Sequence, residues 1–426
     1  MLQIDIIRKD PDTVKKKLAK KHFTNIEIVD EILSLDNKRK VVKSNMDLLL
    51  SQRNNISKEI GSLIKSKLTE DIEKAEQLKN EIAAIKEKVV TLEKDIEIIE
   101  QAQFNHLISL PNLPADIVPV GKVAEDNLCV FCVDNIPTLP EFAVPHWELA
   151  TKYDIIDFEL GTKLTGAGFP VYKKQGAVLQ RALITFFLEE ATAAGYMEVI
   201  PPLMVNKDSA FATGQLPDKE GQMYHITEDQ FYMIPTAEVP ITNIYRDVIL
   251  KENQFPIKMA GYTPCFRREA GSYGADVRGL NRLHQFDKVE IVQIQHPEKS
   301  YDTLDEMVTH VEGLLKKLEL PYRILRLCGG DMSFGSALTY DFECYSAAQK
   351  RWLEVSSVSN FETFQANRLK LRYKDGDGKN VLAHTLNGSA LALARIVACL
   401  LENNQKENGI IIPKALQPYT KFEYIR

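Results

Sequence analysis

Residues 266 to 290, FRREAGSYGADVRGLNRLHQFDKVE, crowd charged side chains around a glycine-containing middle. Period two, the alternation of an extended strand, puts Arg267 and Glu269 on one face of a first strand. The same rule aligns Arg282, His284, Phe286, Lys288 and Glu290 on one face of a second. A guanidinium meets phosphate oxygens through two hydrogen bonds, a phenyl ring stacks on a base, and a carboxylate accepts from an ammonium or hydroxyl. Two readings are open: an exposed hairpin laced by cross-strand ion pairs, or the lining of a site for a nucleotide and an amino acid. The connection from Ala270 to Asn281 is longer than hairpins usually need, which favours the second.

Three other segments offer compatible chemistry. MIPTAEVPITN sets Thr236 and Glu238 two apart on one side of an extended segment, a hydroxyl and a carboxylate suited to a small polar ligand. WLEVSSVSN puts Glu354 and Ser356 on one side and Ser357 on the other; oxygen ligands of this kind suit Mg²⁺. In HTLNGSALALARIVACLLE, Asn387, Gly388 and Ser389 close a strand before an apolar helix carrying Arg395, which is costly there without an anionic partner. No activated-nucleophile pair stands near His284, so a structural role is expected for it. Neither GxGxxG nor GxxxxGK[ST] occurs, which argues against a Rossmann or P-loop nucleotide site.

Such residues need a rigid frame. From residue 111 onward strand-like pieces such as HQFDKVEIVQI and RWLEVSSVSN mix irregularly with helical ones, and a mostly antiparallel sheet flanked by helices is expected. Ahead of it lies a different architecture. Asp10 and Pro11 make a helix start, and Thr24 with Glu27 reads as a capping box. A heptad seam then runs through Ile28, Ile32, Leu35, Arg39, Val42, Met46, Leu49, Arg53, Ile56, Ile60 and Leu63. After a polar break at KSKLTED, a second seam runs through Ala75, Leu78, Ile82, Ile85, Val89, Leu92, Ile96 and Ile99. These predict an antiparallel coiled-coil arm on the order of 55 to 60 Å long at ~1.5 Å per residue. The prolines of SLPNLPADIVPVG end it. The expected fold is therefore α+β, with an N-terminal domain over 1–110, its arm at about 25–105, and a sheet domain over 111–426.

The arm's charge is uneven. Residues 37 to 67 carry +6 and residues 68 to 105 carry −5. Either the two helices simply attract one another, or the basic surface of the first contacts a polyanion. Lys38, Arg39, Lys40, Lys43 and Arg53 are the candidates for such contact, with seam residues Arg39 and Arg53 snorkelling to the edge.

The whole chain of 426 residues has a net charge of −6, so any nucleic acid contact must be local. Its six cysteines show no regular pairing, and the pair in CVFC, Cys129 and Cys132, has no second pair at metal spacing, so a short strand is expected there. The N-terminus lacks an apolar signal core, and no run reaches the ~20 apolar residues of a membrane span. A cytoplasmic protein without a membrane is the expectation.

Taken in order, these segments resemble the three signature motifs of class II aminoacyl-tRNA synthetases, and in detail those of the seryl-tRNA synthetase family. The likeness covers nearly the whole chain, from MLQIDIIRKDPDTV through the arm, TGQLP, PTAEVPITN, the opening stretch, TYDFECY and EVSSVSNFETFQANR to HTLNGSALALAR. It implies a class II catalytic domain that activates L-serine with ATP, releases pyrophosphate and transfers serine to the 3′ end of tRNA(Ser), with tRNA(Sec) a further candidate. By resemblance, L-serine falls to Thr236, Ala237, Glu238, Glu290 and Ser389. Glu290 with Ser389 would meet the hydroxyl, and Glu238 with Thr236 the α-ammonium. ATP falls to Arg267, Arg268, Glu269, Leu283 through its backbone, Phe286 as adenine platform, Glu354, Val355, Ser356, Ser357 and Arg395. Glu354 and Ser357 would hold Mg²⁺, and Arg267, Arg395 and Glu354 would carry catalysis. Pro202 in GYMEVIPPLMV would belong to motif 1 of a homodimer whose arms bind tRNA across subunits. Arg268 stands where the family often has serine, and CGGDMSFGSALTYDFE departs from the commoner form. Two rivals fit less well. A paralogue loading a carrier protein would lack the arm, and a coiled-coil scaffold would leave Glu238, Glu290 and Arg395 unexplained.

Overall fold

The computed structural model describes residues 1–66, 68–134, 136–218, 220–269 and 278–426. It divides into two compact units. One is formed by Leu2–Ala19 and Phe23–Pro111; the other by Met1, Lys20–His22 and Asn112–Arg426.

In the first unit, helices α1 (Ile4–Lys9) and α2 (Pro11–Lys20) precede an antiparallel hairpin of α3 (Ile28–Ser66) and α4 (Thr69–Ser109). The Asp10 carboxylate caps α2 by accepting from Thr13 N at 3.0 Å, as its position before Pro11 predicts. Both seams are realised: their members are buried or half-buried, whereas Val41, Leu48 and Val90 face solvent. Two expectations are corrected. Thr24 does not cap α3. Tight turns in which Ile28 N and Val29 N donate to Asn25 O and Ile26 O satisfy the free amides first, and the helix starts at Ile28. The break between the helices is also narrower than KSKLTED. Ser66 ends α3, its hydroxyl bonds the Asp71 carboxylate across the turn, and Thr69 begins α4. Lys67 lies outside the described residues.

The second unit is organised by an eight-stranded sheet. Its strands in chain order are β1 (Leu128–Cys132), β2 (Met197–Glu198), β3 (Ile257–Phe266), β4 (Gln285–Gln295), β5 (Tyr322–Arg326), β6 (Leu338–Ser346), β7 (Arg351–Glu362) and β8 (His384–Ala392). The spatial order is β1-β5-β6-β7-β8-β4-β3-β2, antiparallel throughout except for β2 beside β3. Residues 128–132 form the short strand expected of CVFC, and all six cysteines are free thiols.

Alternation divides the faces of the sheet. Val289 and Ile291 of β4, with Leu386 and Ala390 of β8, join the main core, to which α6 (Lys174–Ala193), α8 (Ser300–Lys317) and α10 (Leu393–Asn403) contribute apolar side chains. The helices between, α5 (His146–Lys152), α7 (Glu238–Asn243) and α9 (Thr363–Leu369), are short. On the other face Val292 and Ile294 pack with Ala237 and Ile241 at α7 and with Ala366 and Leu369 of α9. Along β4 that second face continues to Glu290, Lys288 and Phe286. Its apolar end holds the helices and its polar end is left open for a site.

Candidate active site

A cleft of about 710 Å³ opens over this polar end. Its lining includes Thr236, Glu238, Arg267, Glu269, Leu283, Phe286, Glu290, Glu354, Val355, Ser356, Ser357, Ser389 and Arg395, contributed by segments far apart in sequence. Ala237 and Arg268 are outside that lining: Ala237 is buried in the α7 cluster, and Arg268 is exposed.

Two carboxylates form its inner wall. Glu290 on β4 lies opposite Ser389 on β8, pairs with Lys288 Nζ at 2.5 Å and accepts from Thr236 Oγ1 at 3.1 Å. Thr236 Oγ1 in turn accepts from Glu238 N at 3.2 Å, so this hydroxyl joins the two acids instead of pairing with the Glu238 side chain alone. Glu238 accepts from Gln365 Nε2 at 2.6 Å. Gln365 also donates to Thr213 O and accepts from Thr385 Oγ1, so its amide orientation is specified. Burial, together with the negative charge of Glu290, pushes the Glu238 carboxyl up from 4.5 to about 7. A buried acid of this kind is ready to be stabilised by a cationic ligand group.

The outer wall is cationic. β3 ends at Phe266 and β4 begins at Gln285, so Arg267, Glu269, Arg282 and His284 lie beyond the regular strands that alternation assigned them. Arg267 N still donates to His284 O, prolonging the ladder by a step, and its guanidinium lies 5.3 Å over the Phe286 ring. Glu269 has a left-handed backbone, φ 47°, and pairs with Arg282. His284 accepts or donates at Tyr224 Oη, 2.9 Å away, and stacks on Phe169, a packing role. The loop residues 270–277 lie outside the described residues.

Arg395 belongs to the first turn of α10 and reaches the cleft, donating to Asn281 O at 3.0 Å and Glu354 O at 2.7 Å. Helical burial is therefore not its setting, although Glu354 Oε2 stands 3.8 Å away as an anionic neighbour. In β7 a bulge changes the expected alternation. Glu343 pairs with Glu354 and Phe342 with Ser356, leaving Val355 without an opposite residue. Asp341 then pairs with Ser357, so Glu354 and Ser357 share a face and Ser356 turns away to donate to Ser389 O. Burial and the Glu354 charge raise the Asp341 carboxyl well above the usual range, and Asp341 Oδ1 has no hydrogen-bond partner among the described residues. Two repelling carboxylates and a hydroxyl suit a hard cation with oxygen ligands. The described residues hold no cluster of three or more His, Cys, Asp or Glu side chains that could hold a metal ion.

Residues 1–114 match the family model for the seryl-tRNA synthetase N-terminal domain, and residues 223–404 that for the class II tRNA synthetase core domain of the G, H, P, S and T enzymes. A serine--tRNA ligase of Salinibacter ruber is 48% identical over 427 residues, covering 100% of this chain and 99% of that protein. The chain belongs to the seryl-tRNA synthetase family. Among solved structures, the seryl-tRNA synthetase of Pyrococcus horikoshii complexed with ATP has a TM-score of 0.94 at 32% identity, covering 100% of this chain and 99% of that one. The cytoplasmic serine-tRNA ligase of Naegleria fowleri in complex with AMP follows at a TM-score of 0.90 and 25% identity, with 100% and 99% covered. A class II catalytic fold joined to a helical arm is what this seryl-tRNA synthetase family member shares with them.

Sequence did not single out Gln365, which holds Glu238, or Asp341 beside Glu354, and for Lys288, which alternation put on the face of Glu290, it did not show the pairing that neutralises Glu290. Their signal was present as polar residues interrupting apolar segments in NFETFQANR, QFDKVEIV and LTYDFECY. In the arm, Lys38 and Lys43 are exposed and form no ion pair among the described residues. Arg39 lies 3.5 Å from Asp36 and 3.6 Å from Glu100, and Lys40 lies 2.8 Å from Asp36. Arg53 bonds the neighbouring Asn54 at 3.4 Å.

Proposed function

We propose that this chain activates L-serine with ATP, releasing pyrophosphate, and then transfers the seryl group to the 3′ end of tRNA(Ser). The observation that carries this reading is the placing of two buried carboxylates, Glu238 and Glu290, beside the cationic wall of Arg267 and Arg395 in one cleft. The serine carboxylate attacks the α-phosphate of ATP and pyrophosphate leaves; a ribose hydroxyl of tRNA then attacks the acyl carbon and AMP leaves. No protein nucleophile is needed. Catalysis comes from holding the reactants in line and from positive charge near the phosphates, the task of Arg267 and Arg395.

Glu354 and Ser357 would hold Mg²⁺, with Asp341 adjoining them. Bound there, the ion would neutralise phosphate charge. Phe286 provides the ring on which adenine stacks, and Leu283 a backbone contact. Glu238 receives the α-ammonium. Glu290, tied to Thr236 and opposite Ser389, receives the hydroxyl, and alanine is rejected because it would leave these buried groups without that partner.

The arm serves the tRNA, with the exposed Lys38 and Lys43 as its first contacts. A homodimer is supported by the β2 region, where Met197, Ile200, Leu203 and Met204 are exposed near Pro202, and tRNA would be bound across its subunits. The free cysteines suit a cytoplasmic setting. No helix among the described residues is long and apolar enough to cross a membrane.

Pyrophosphate exchange measured across the twenty amino acids tests the reading, followed by transfer to tRNA. Exchange with serine and esterification of tRNA(Ser) are expected. Exchange with another amino acid, or delivery to a carrier protein without tRNA charging, would overturn it.

A further inference from the structure

Behind the cleft lies a polar cluster that none of the substrate contacts accounts for. His146, the first residue of α5, and Glu402 on α10 are both fully buried, with His146 Nδ1 2.7 Å from Glu402 Oε1. The other ring nitrogen, Nε2, lies 2.8 Å from Leu280 N. A backbone N–H can only donate, so Nε2 carries the lone pair and Nδ1 carries the proton: the contacts select one neutral tautomer. Glu402 also accepts from His146 N at 3.0 Å, Gln349 Nε2 at 3.0 Å and Ser346 Oγ. Burial pushes its carboxyl up, but His146 foremost and Ser346 outweigh burial and hold it below the usual range.

What this cluster holds is the segment that re-enters β4. Gly279 has φ 67°, and a Cβ there would fall 2.2 Å from His146 Nε2, so the chain passes directly against the imidazole. The guanidinium of Arg278 covers Trp147 at 4.7 Å. Asn281 exchanges side-chain hydrogen bonds with Gln349, donating to Gln349 Oε1 at 2.9 Å, while its carbonyl accepts from Arg395 Nε. Leu283, two residues on, lines the cleft. His146, Glu402 and Gln349 do not line it themselves. One buried carboxylate is thereby linked through an imidazole to Leu280 and through an amide to Asn281, whose carbonyl orients Arg395.

We infer that His146, oriented by Glu402, is a positioning residue that clamps the Leu280–Asn281 backbone and so sets Arg395 and Leu283 for ATP. The inference rests on the proposed assignment of that wall to ATP. Two substitutions separate the two bonds of the ring. In His146→Asn the amide NH₂ can replace Nδ1–H toward Glu402, but Leu280 N–H loses its acceptor. In His146→Gln the longer side chain can offer its carbonyl oxygen to Leu280 N–H in place of Nε2.

Steady-state pyrophosphate exchange on the full chain is the test, with thermal melting to confirm folding. His146→Asn is expected to raise the KM for ATP about tenfold or more while the KM for serine stays within about twofold. His146→Gln is expected to recover most of that loss. A folded His146→Asn with the parental KM for ATP, or equal impairment of both substrates in both variants, would overturn the inference. A second measurement needs no variant: hydrogen exchange at the Leu280 amide of the ligand-free protein. Strong protection is expected, and exchange as fast as an open loop would overturn the clamp even if both variants fail to fold. Failure of the functional reading is distinguishable, because the unsubstituted chain would then show no serine-dependent exchange at all.

Discussion

Glu354 and Ser357 share one face of β7 although they are three residues apart, because Val355 is bulged and pairs with nothing on β6. The bulge is what makes a carboxylate–hydroxyl pair available beside Arg395, and it turns Ser356 toward Ser389 O. Ser357→Ala is therefore expected to raise the Mg²⁺ concentration for half-maximal pyrophosphate exchange about tenfold, which corresponds to ~1.4 kcal/mol. Ser356→Ala should change that metal dependence by less than about twofold, whatever it does to the overall rate. Mn²⁺ titration of the ATP-bound protein by electron paramagnetic resonance gives the same comparison without turnover. Equal metal dependence in the two variants would remove the role of the bulge.

Glu290 is the acid that faces Ser389, and Thr236 holds it. Glu290→Ala should abolish serine-dependent pyrophosphate exchange. It also leaves Lys288 buried and unpaired, so the melting temperature should fall, with a cost of about 3 to 5 kcal/mol. Near-normal exchange in a folded variant would take Glu290 out of the serine pocket.

Glu238 predicts a pH dependence whose sign is determined. Below 4.5 its carboxyl is neutral in folded and unfolded chains alike; above about 7 it is ionised in both, and burial then penalises the fold. The ligand-free protein should lose roughly 3 kcal/mol of stability from this group as pH rises through that window. Serine binding runs the other way, because an ammonium needs the ionised acid. The KM for serine should rise about tenfold from pH 8 to pH 6, with protons released on binding near pH 7. Calorimetry in buffers of different ionisation enthalpy measures that release, and none at pH 7 would show that Glu238 is already ionised.

In the arm, Lys38 and Lys43 form no ion pair among the described residues, whereas Lys40 and Arg39 are held by Asp36, whose carboxyl the Arg8 guanidinium keeps well below the usual range. Neutralising Lys38 and Lys43 together should weaken tRNA binding and flatten the slope of log affinity against log salt by roughly 1 to 2. Serine activation should be untouched. Neutralising Lys40 should cost less affinity than either, since its charge is already spent on Asp36; unchanged charging in the double variant would exclude this surface.

Much of this architecture is legible in the sequence. The seams from Ile28 to Leu63 and from Ala75 to Ile99 mark the arm because helical burial recurs at 3.5-residue spacing, which local sequence records. The even face of β4 was legible for the same reason, as alternation assigned Phe286, Lys288 and Glu290 to one side, and the strand holds them there. Alternation failed at Glu354 to Ser357, where a bulge depends on the strand opposite, and at Arg267 and Glu269, where the strand has already ended. Thr24 failed as a cap because neighbouring carbonyls competed for the same amides.

By itself the sequence determined the kinds of groups available, the arm, the strand faces and the family likeness, since these depend on residue type and local period. The tertiary structure alone decided the partners. Thr236 bonds Glu290 across 54 positions, Gln365 holds Glu238 across 127, and His146 meets Leu280 across 134. Such pairs leave no periodic trace, because which buried donor finds which acceptor is settled only when the sheet brings distant segments together and burial makes each unpaired group costly.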